Sequence, residues 1–331
     1  MFEQALLSAV NSPASSKIIG VLERVNGRFP NLLRVLTYHR IEETNSDPSA
    51  YHRVTVTPEK FDRQMKFLGA HYGVLSMADL LEANLNGRSL PPRSVIVTFD
   101  DAYKDFATHA WPILKKYHIP VTLFVPTAFP DHPERVFWWD RIHYAIFENK
   151  NLSELNTDFG CLSLKTDMER KHAFDRIRET VKYLPYKEAM DWVDEICSQL
   201  SALPKKNHIL GWDDLRRLAK EGVTLGAHTR NHPMMDRISL EVVDEEIEGS
   251  LMDLKREIGV ALPIFAYPGG HVTDDIEERL RRMDIVVAFS TNRGINDLKR
   301  VNWMRLNRIN VGPRTTLPVL RTQLLPWSSY F

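Results

Sequence analysis

Two cysteines in 331 residues, Cys161 and Cys197, are too few for a disulfide framework, and neither sits in a CxxC or Cys/His spacing. They read as ordinary thiols and fit a reducing compartment. Net charge is missing too. The 43 basic and 43 acidic side chains cancel, so no long-range field gathers nucleic acid or an anionic membrane surface, and no nucleic-acid partner is expected. No stretch approaches the roughly 18 apolar residues of a membrane span. Residues 1–20 lack a basic segment leading into an unbroken apolar core. The expectation is a soluble, cytoplasmic chain without a transmembrane segment. Internal repeats, low-complexity tracts and Gly/Ser linkers are absent as well. No strand candidate runs into a GxGxxG or GxxxxGK[ST] loop, so a nucleotide-binding sheet would have no phosphate cradle.

What is present alternates. Short β-branched runs at 33–38, 94–99, 121–125, 223–227, 264–267, 285–290 and 306–311 are strand candidates. Between them, 58–70 after Thr57, 78–86, 103–117, 240–258 after Ser239 and 274–283 after Thr273 carry helical period, the three named residues being N-caps. Strands apolar almost throughout, alternating with helices, predict an α/β fold of parallel strands covered on both faces. A barrel with an outer helical ring is the natural closure, and a doubly wound open sheet is the competitor. From about 131 to 211 the alternation stops and only helical candidates appear, around 138–148, 167–183 and 187–200, so this stretch reads as a helical insertion. The expected organisation is an N-terminal helical extension over 1–30 and a barrel domain over 31–331 carrying that insertion.

Three strand ends hold the residue types that do chemistry. Asp100 and Asp101 follow Thr98-Phe99. Consecutive residues point in different directions, so one carboxylate can ligate a metal while the other stays free as a base; alone, the pair also reads as a turn or cap. His228 and His232, in Ala227-His228-Thr229-Arg230-Asn231-His232, follow the 223–227 run. Their i, i+4 spacing lets both imidazoles reach one divalent ion if the backbone turns helical there, and Asp101 would complete a two-histidine, one-carboxylate set suited to a catalytic metal. Tyr267-Pro268-Gly269-Gly270 ends a third strand as a rigid turn whose amides can approach a ligand. The cluster Phe137-Trp138-Trp139-Asp140 opens the insertion, and its rings either line a sugar site or anchor the insertion to the barrel.

Together these motifs resemble the polysaccharide deacetylase family, also called carbohydrate esterase family 4 or the NodB homology domain, over roughly 34–311 apart from the insertion. The family's T-F-D-D, H-[ST]-x-x-H and Y-P-x-G patterns stand here as Thr98 to Asp101, His228 to His232 and Tyr267 to Gly270. The resemblance implies a distorted (β/α)7 barrel that removes acetyl groups from N-acetylated sugars with a divalent metal, most often Zn2+. It implies Asp100 as general base, and Asp101, His228 and His232 as metal ligands. It further implies Thr229 as the brace of the loop between the histidines and the backbone amide of Tyr103 as oxyanion donor. Trp138, Trp139, Tyr267, Pro268, Gly269 and Gly270 are the candidate substrate contacts, with core packing the alternative for Tyr267.

The sequence also departs from the family. The arginine that precedes the proline turn in its best-known members and orients the base is missing from Pro263-Ile264-Phe265-Ala266-Tyr267. The last-strand histidine that protonates the leaving nitrogen is replaced by Asn307. His39 or His271 is the expected proton donor, with His39 preferred; either is otherwise a structural polar plug. Arg308 either pairs with Asp100 in place of the missing arginine or is a surface strand residue. The expected substrate is an acetylated sugar, nucleotide-linked or lipid-linked, on the way to a cell-surface polysaccharide. The competing readings are a metal-independent amidase acting on a non-sugar amide and a non-catalytic carbohydrate-binding relative.

Overall fold

The computed structural model describes residues 19–23, 29–43, 54–200 and 208–326. Most of the expected N-terminal extension, 1–18 and 24–28, lies outside the described residues. Strands β1 (Leu32–Tyr38), β2 (Gly73–Val74), β3 (Ser94–Phe99), β4 (Val121–Val125), β5 (Thr224–Ala227), β6 (Ile264–Ala266), β7 (Val287–Phe289), β8 (Asn296–Asp297) and β9 (Ile309–Asn310) form one sheet. All seven expected strands fall in it, the later ones shortened at their ends.

The sheet runs β7-β6-β5-β4-β3-β1, parallel throughout, with the short β2 on β3 and the antiparallel β8 on β1. The segment leading into β9 closes it. Leu306 bridges Phe289 of β7, and Ile309 then pairs with Leu36 of β1. The ring is therefore a seven-stranded barrel, distorted where its last staves are only two or three residues long. Alternation along the strands divides the core. Val35, Ile96, Phe124, Ile264, Val287 and Leu306 form one buried cluster, while their neighbours Leu36, Val97 and Leu123 join a second with the helices. Gly226 is needed inside, because a Cβ there would stand 2.6 Å from the Phe124 ring and 3.0 Å from Ile264.

The outer helices are α1 (Pro58–His71), α2 (Met77–Asn86), α3 (Trp111–Lys116), α7 (Trp212–Lys220), α8 (Leu240–Ile258), α9 (Asp274–Arg282) and α10 (Leu317–Gln323). Thr57, Ser239 and Thr273 cap α1, α8 and α9 with their hydroxyls, as expected. The expected helix over 103–117 is interrupted. It begins as a π-type turn at Phe106–Ala110 and becomes α3 only afterwards, where Pro112, which has no N–H to give, sits in the first turn.

The insertion holds α4 (Trp138–Glu148), α5 (Asp167–Tyr183) and α6 (Tyr186–Gln199). It is not purely helical: Glu154–Thr157 and Gly160–Ser163 pair as an antiparallel hairpin between α4 and α5. Each strand is four residues long and buries a single apolar side chain, Leu155 or Leu162, which is too little alternation to register as strand in the sequence.

Candidate active site

Strand register decides where the chemistry collects. Tyr38 pairs with Phe99, Phe99 with Leu123, Val125 with Ala227, Ala227 with Phe265 and Ala266 with Phe289, so the strands end along one rim. His39, Asp100, Asp101, His228 and Tyr267 each follow directly. Asp100 continues the face of Ile96 and Thr98, and Arg308 that of Leu306, so the two meet inside the barrel mouth. Arg308 is fully buried and donates to both oxygens of Asp100, at 2.8 and 2.7 Å, while its Nε donates to Ser290 O at 2.8 Å. The surface reading of Arg308 is thereby excluded. Burial alone would raise the Asp100 pKa, but Arg308, joined by His228 and His39, reverses it and holds the carboxyl below its ordinary value. Asp100 is thus an ionised acceptor at neutral pH.

Asp101 turns away from its neighbour because it and Ala102 adopt left-handed φ angles of 71° and 53°. Its Oδ1 comes 3.3 Å from His232 Nε2 and 3.6 Å from His228 Nε2. The two histidines do not converge by a helical turn. The backbone over 228–232 is a loop in which Thr229 and His232 are left-handed, at φ 62° and 57°. Side chains brace it. Thr229 Oγ1 accepts from His232 N at 3.0 Å, and Glu246 of α8 accepts from the backbone N–H groups of Arg230 and Asn231 and from the Asn231 amide. His228 Nδ1 donates to Ala266 O at 2.7 Å, which leaves Nε2 to face Asp101.

The three ligand atoms lie within 4.8 Å of one another and are buried. Asp101 Oδ1 makes no hydrogen bond of ordinary geometry despite its seclusion. Two neutral nitrogens and a carboxylate oxygen aimed at one buried point are the donor set of a divalent transition metal, so the residues fit such an ion. Burial opposes ionisation of Asp101, but the two imidazoles outweigh it and hold the carboxyl well below the usual carboxylate range. For His228 burial is overcome by Asp101 and Asp100, and its pKa rises; for His232 burial prevails and its pKa falls.

The remaining expected residues divide. His39 is part-buried at the end of β1. His271 is held differently, its Nδ1 3.1 Å from Asp236 Oδ2. Tyr103 pairs with Ile209 across a bridge flanked by Lys104 N to His208 O and Leu210 N to Ala102 O, which leaves its own N–H turned away from Ile209. Tyr267 is a correction as a substrate contact: its side chain is fully buried and its hydroxyl donates to Met304 O at 2.9 Å. The alternative, core packing, holds. Pro268 is buried, and a Cβ on Gly270 would fall 2.5 Å from the Thr291 backbone, so the turn packs closely on the next strand end. Trp138 and Trp139 are more than nine-tenths buried, and Trp139 ties the insertion to the barrel by donating from Nε1 to the Tyr103 hydroxyl at 3.0 Å. Sequence reasoning missed Glu246, a lone acid on a long amphipathic helix, and Asp140, whose Oδ2 accepts from the Tyr103 hydroxyl at 2.7 Å. Nothing in the spacing of either marks it; only the Trp-Trp-Asp juxtaposition hints at Asp140.

Among the described residues, no helix is long and apolar enough to cross a membrane. The family model "Polysaccharide deacetylase" matches residues 87–158 and 165–288, well over half of the chain. A poly-beta-1,6-N-acetyl-D-glucosamine N-deacetylase of Staphylococcus aureus (strain MSSA476) is 33% identical over 108 residues, 30% of this chain and 37% of that protein. The match thus spans little more than a third of the curated relative's length. Among solved structures, the Streptococcus pyogenes deacetylase PplD in complex with acetate superposes with a TM-score of 0.63 at 21% identity, covering 90% of this chain and 100% of that one. IcaB from Ammonifex degensii does so with a TM-score of 0.57 at 17% identity, covering 90% and 97%. These two establish the likeness of fold. With the family model matched across the strands that carry Asp100, Asp101, His228 and His232, the chain belongs to the polysaccharide deacetylase family.

Proposed function

We propose that the protein is a divalent-metal-dependent hydrolase that removes N-acetyl groups from an acetylated glycan. The observation that carries this reading is the adjacency of two sites built from consecutive residues: Asp100, kept ionised by Arg308, and Asp101, converged with His228 and His232. Asp101, His228 and His232 would hold the ion. A bound ion, with Zn2+ the first choice for this donor set, supplies polarisation of the acetyl carbonyl and a more acidic water near neutral pH. Asp100 takes a proton from the attacking water as the new C–O bond forms. His39, which directly follows β1 on the same rim and has no side-chain hydrogen bond among the described residues, gives a proton to the nitrogen as the C–N bond breaks. The Tyr103 N–H is the oxyanion donor. The products are acetate and a free amine on the sugar.

The named activity of the staphylococcal relative makes β-1,6-linked N-acetylglucosamine oligomers the first substrate to assay, beside a nucleotide-linked N-acetyl sugar. A non-catalytic binding role gives no reason to bury an arginine against Asp100, because a metal that only positioned a ligand would need Asp101 alone. The test is metal content and acetate release in two variants. Asp100→Asn should keep about one equivalent of metal and lower turnover by roughly 10²–10⁴-fold; His232→Ala should lose both. Full turnover in Asp100→Asn would remove Asp100 as the base.

A further inference from the structure

His228 and His232 are held by unlike means. A metal-binding histidine ordinarily donates its second ring N–H to an acceptor, which fixes the ring's rotation, and losing that partner typically costs 10–100-fold in metal affinity. His228 follows the rule through Ala266 O. His232 does not, for its Nδ1 is buried and has no hydrogen-bond partner among the described residues. Two aromatic rings stand against it instead. The Trp139 ring meets the His232 ring edge-to-face at 5.0 Å and 67°, and the Phe137 ring does so at 5.4 Å and 68°. Phe137 in turn stacks on Trp139 at 4.4 Å and 12°.

We infer that Phe137 and Trp139 are positioning residues that set the rotation of His232, so that the inserted segment completes the metal site of the barrel. This rests on the metal reading proposed above. The two rings are themselves fixed. Trp139 Nε1 donates to the Tyr103 hydroxyl at 3.0 Å, that hydroxyl donates to Asp140, and both rings are more than nine-tenths buried. Rotation of His232 about its Cβ–Cγ bond would drive ring atoms into this packed pair, since interiors of this density have no spare volume. Edge-to-face contact also favours the observed tilt over a stacked one. Steric confinement thus takes the place of a hydrogen bond, and the start of α4 supplies it on one side while the His228 ring, edge-to-face at 4.7 Å, closes another.

The test measures zinc affinity of the full chain by chelator competition, together with the visible spectrum of the Co2+-loaded protein. Trp139→Leu, which removes the ring, should weaken zinc by 10–100-fold and alter the Co2+ spectrum. Trp139→Phe, which restores a ring without the indole N–H, should stay within about threefold of the parent and keep its spectrum. If Trp139→Leu does not fold, as judged by circular dichroism of the metal-free protein, Phe137→Leu is judged by the same loss. Parent-like affinity in the leucine variants overturns the inference while the metal reading stands, as does equal weakening in Trp139→Phe and Trp139→Leu. A parent protein that binds no zinc overturns the metal reading itself.

Discussion

One half of the barrel mouth is electrostatically complete and the other is not. Around Asp100, both carboxylate oxygens are met by one guanidinium, and the third donor of that arginine is met by Ser290 O. Around Asp101, one carboxylate oxygen and His232 Nδ1 are buried without hydrogen bonds, although the groups stand on the next residue and the neighbouring loop. The first half is built from residues that directly flank barrel strands. The second draws on a left-handed loop and on rings from the insertion. Of the two unpaired atoms, Asp101 Oδ1 lies beside both Nε2 atoms and is the atom that the proposed ion would pair, a buried unpaired oxygen costing about 1–3 kcal/mol.

The largest way to break this contrast is to unbalance the complete half. Arg308→Met keeps the volume but leaves Asp100 buried and unpaired, and it should lower unfolding free energy by about 3–5 kcal/mol in a denaturant titration. A loss below ~1 kcal/mol would mean that the pair is solvated and the halves are alike. Next in size, His39→Gln should lower turnover by about 10²-fold with metal content unchanged, since it withdraws the proposed proton donor without touching a ligand. Loss of metal in that variant would instead put His39 among the ligands and erase the boundary between the halves.

The smallest effect gives a baseline away from the mouth. Glu221, partly exposed after α7, accepts from Trp111 Nε1, Lys115 and Arg217, and these hold its carboxyl down at about 2. Its folded value lies below the unfolded one of 4.5, so the unfolded chain binds more protons between them. The stabilisation is fully present above about pH 4.5 and is lost as pH falls toward 2. Glu221→Gln should therefore melt slightly below the parent at pH 7, with the two thermal midpoints converging across that window. A constant gap would show that the contact acts by packing rather than charge.

Much of the barrel was legible, because a strand covered on both faces must be apolar along its whole length, and Ser94–Phe99 or Val121–Val125 admit little else. The hairpin of the insertion was not, since its strands bury one residue each. The HxxxH spacing announced a metal pair, yet the helical turn invoked to join the histidines is absent; Thr229, left-handed and bonded to His232 N, does that work. Trp139 was visible as an aromatic residue, but its contact with His232 was not, because 93 positions of chain separate the two and no local periodicity links them.

By itself the sequence determined the seven barrel strands, the three caps at Thr57, Ser239 and Thr273, and the residue types that follow two of those strands, for these depend on side-chain types at short spacing. Only the tertiary structure decided which arginine serves Asp100. The candidate stands 208 positions away, one residue before the closing strand β9, and it reaches the carboxylate because the pairing of Leu36 with Ile309 brings that turn of chain to the rim with its even-numbered side chains pointing inward. Register over that distance is set by closure of the whole barrel, and no local pattern of residues encodes it.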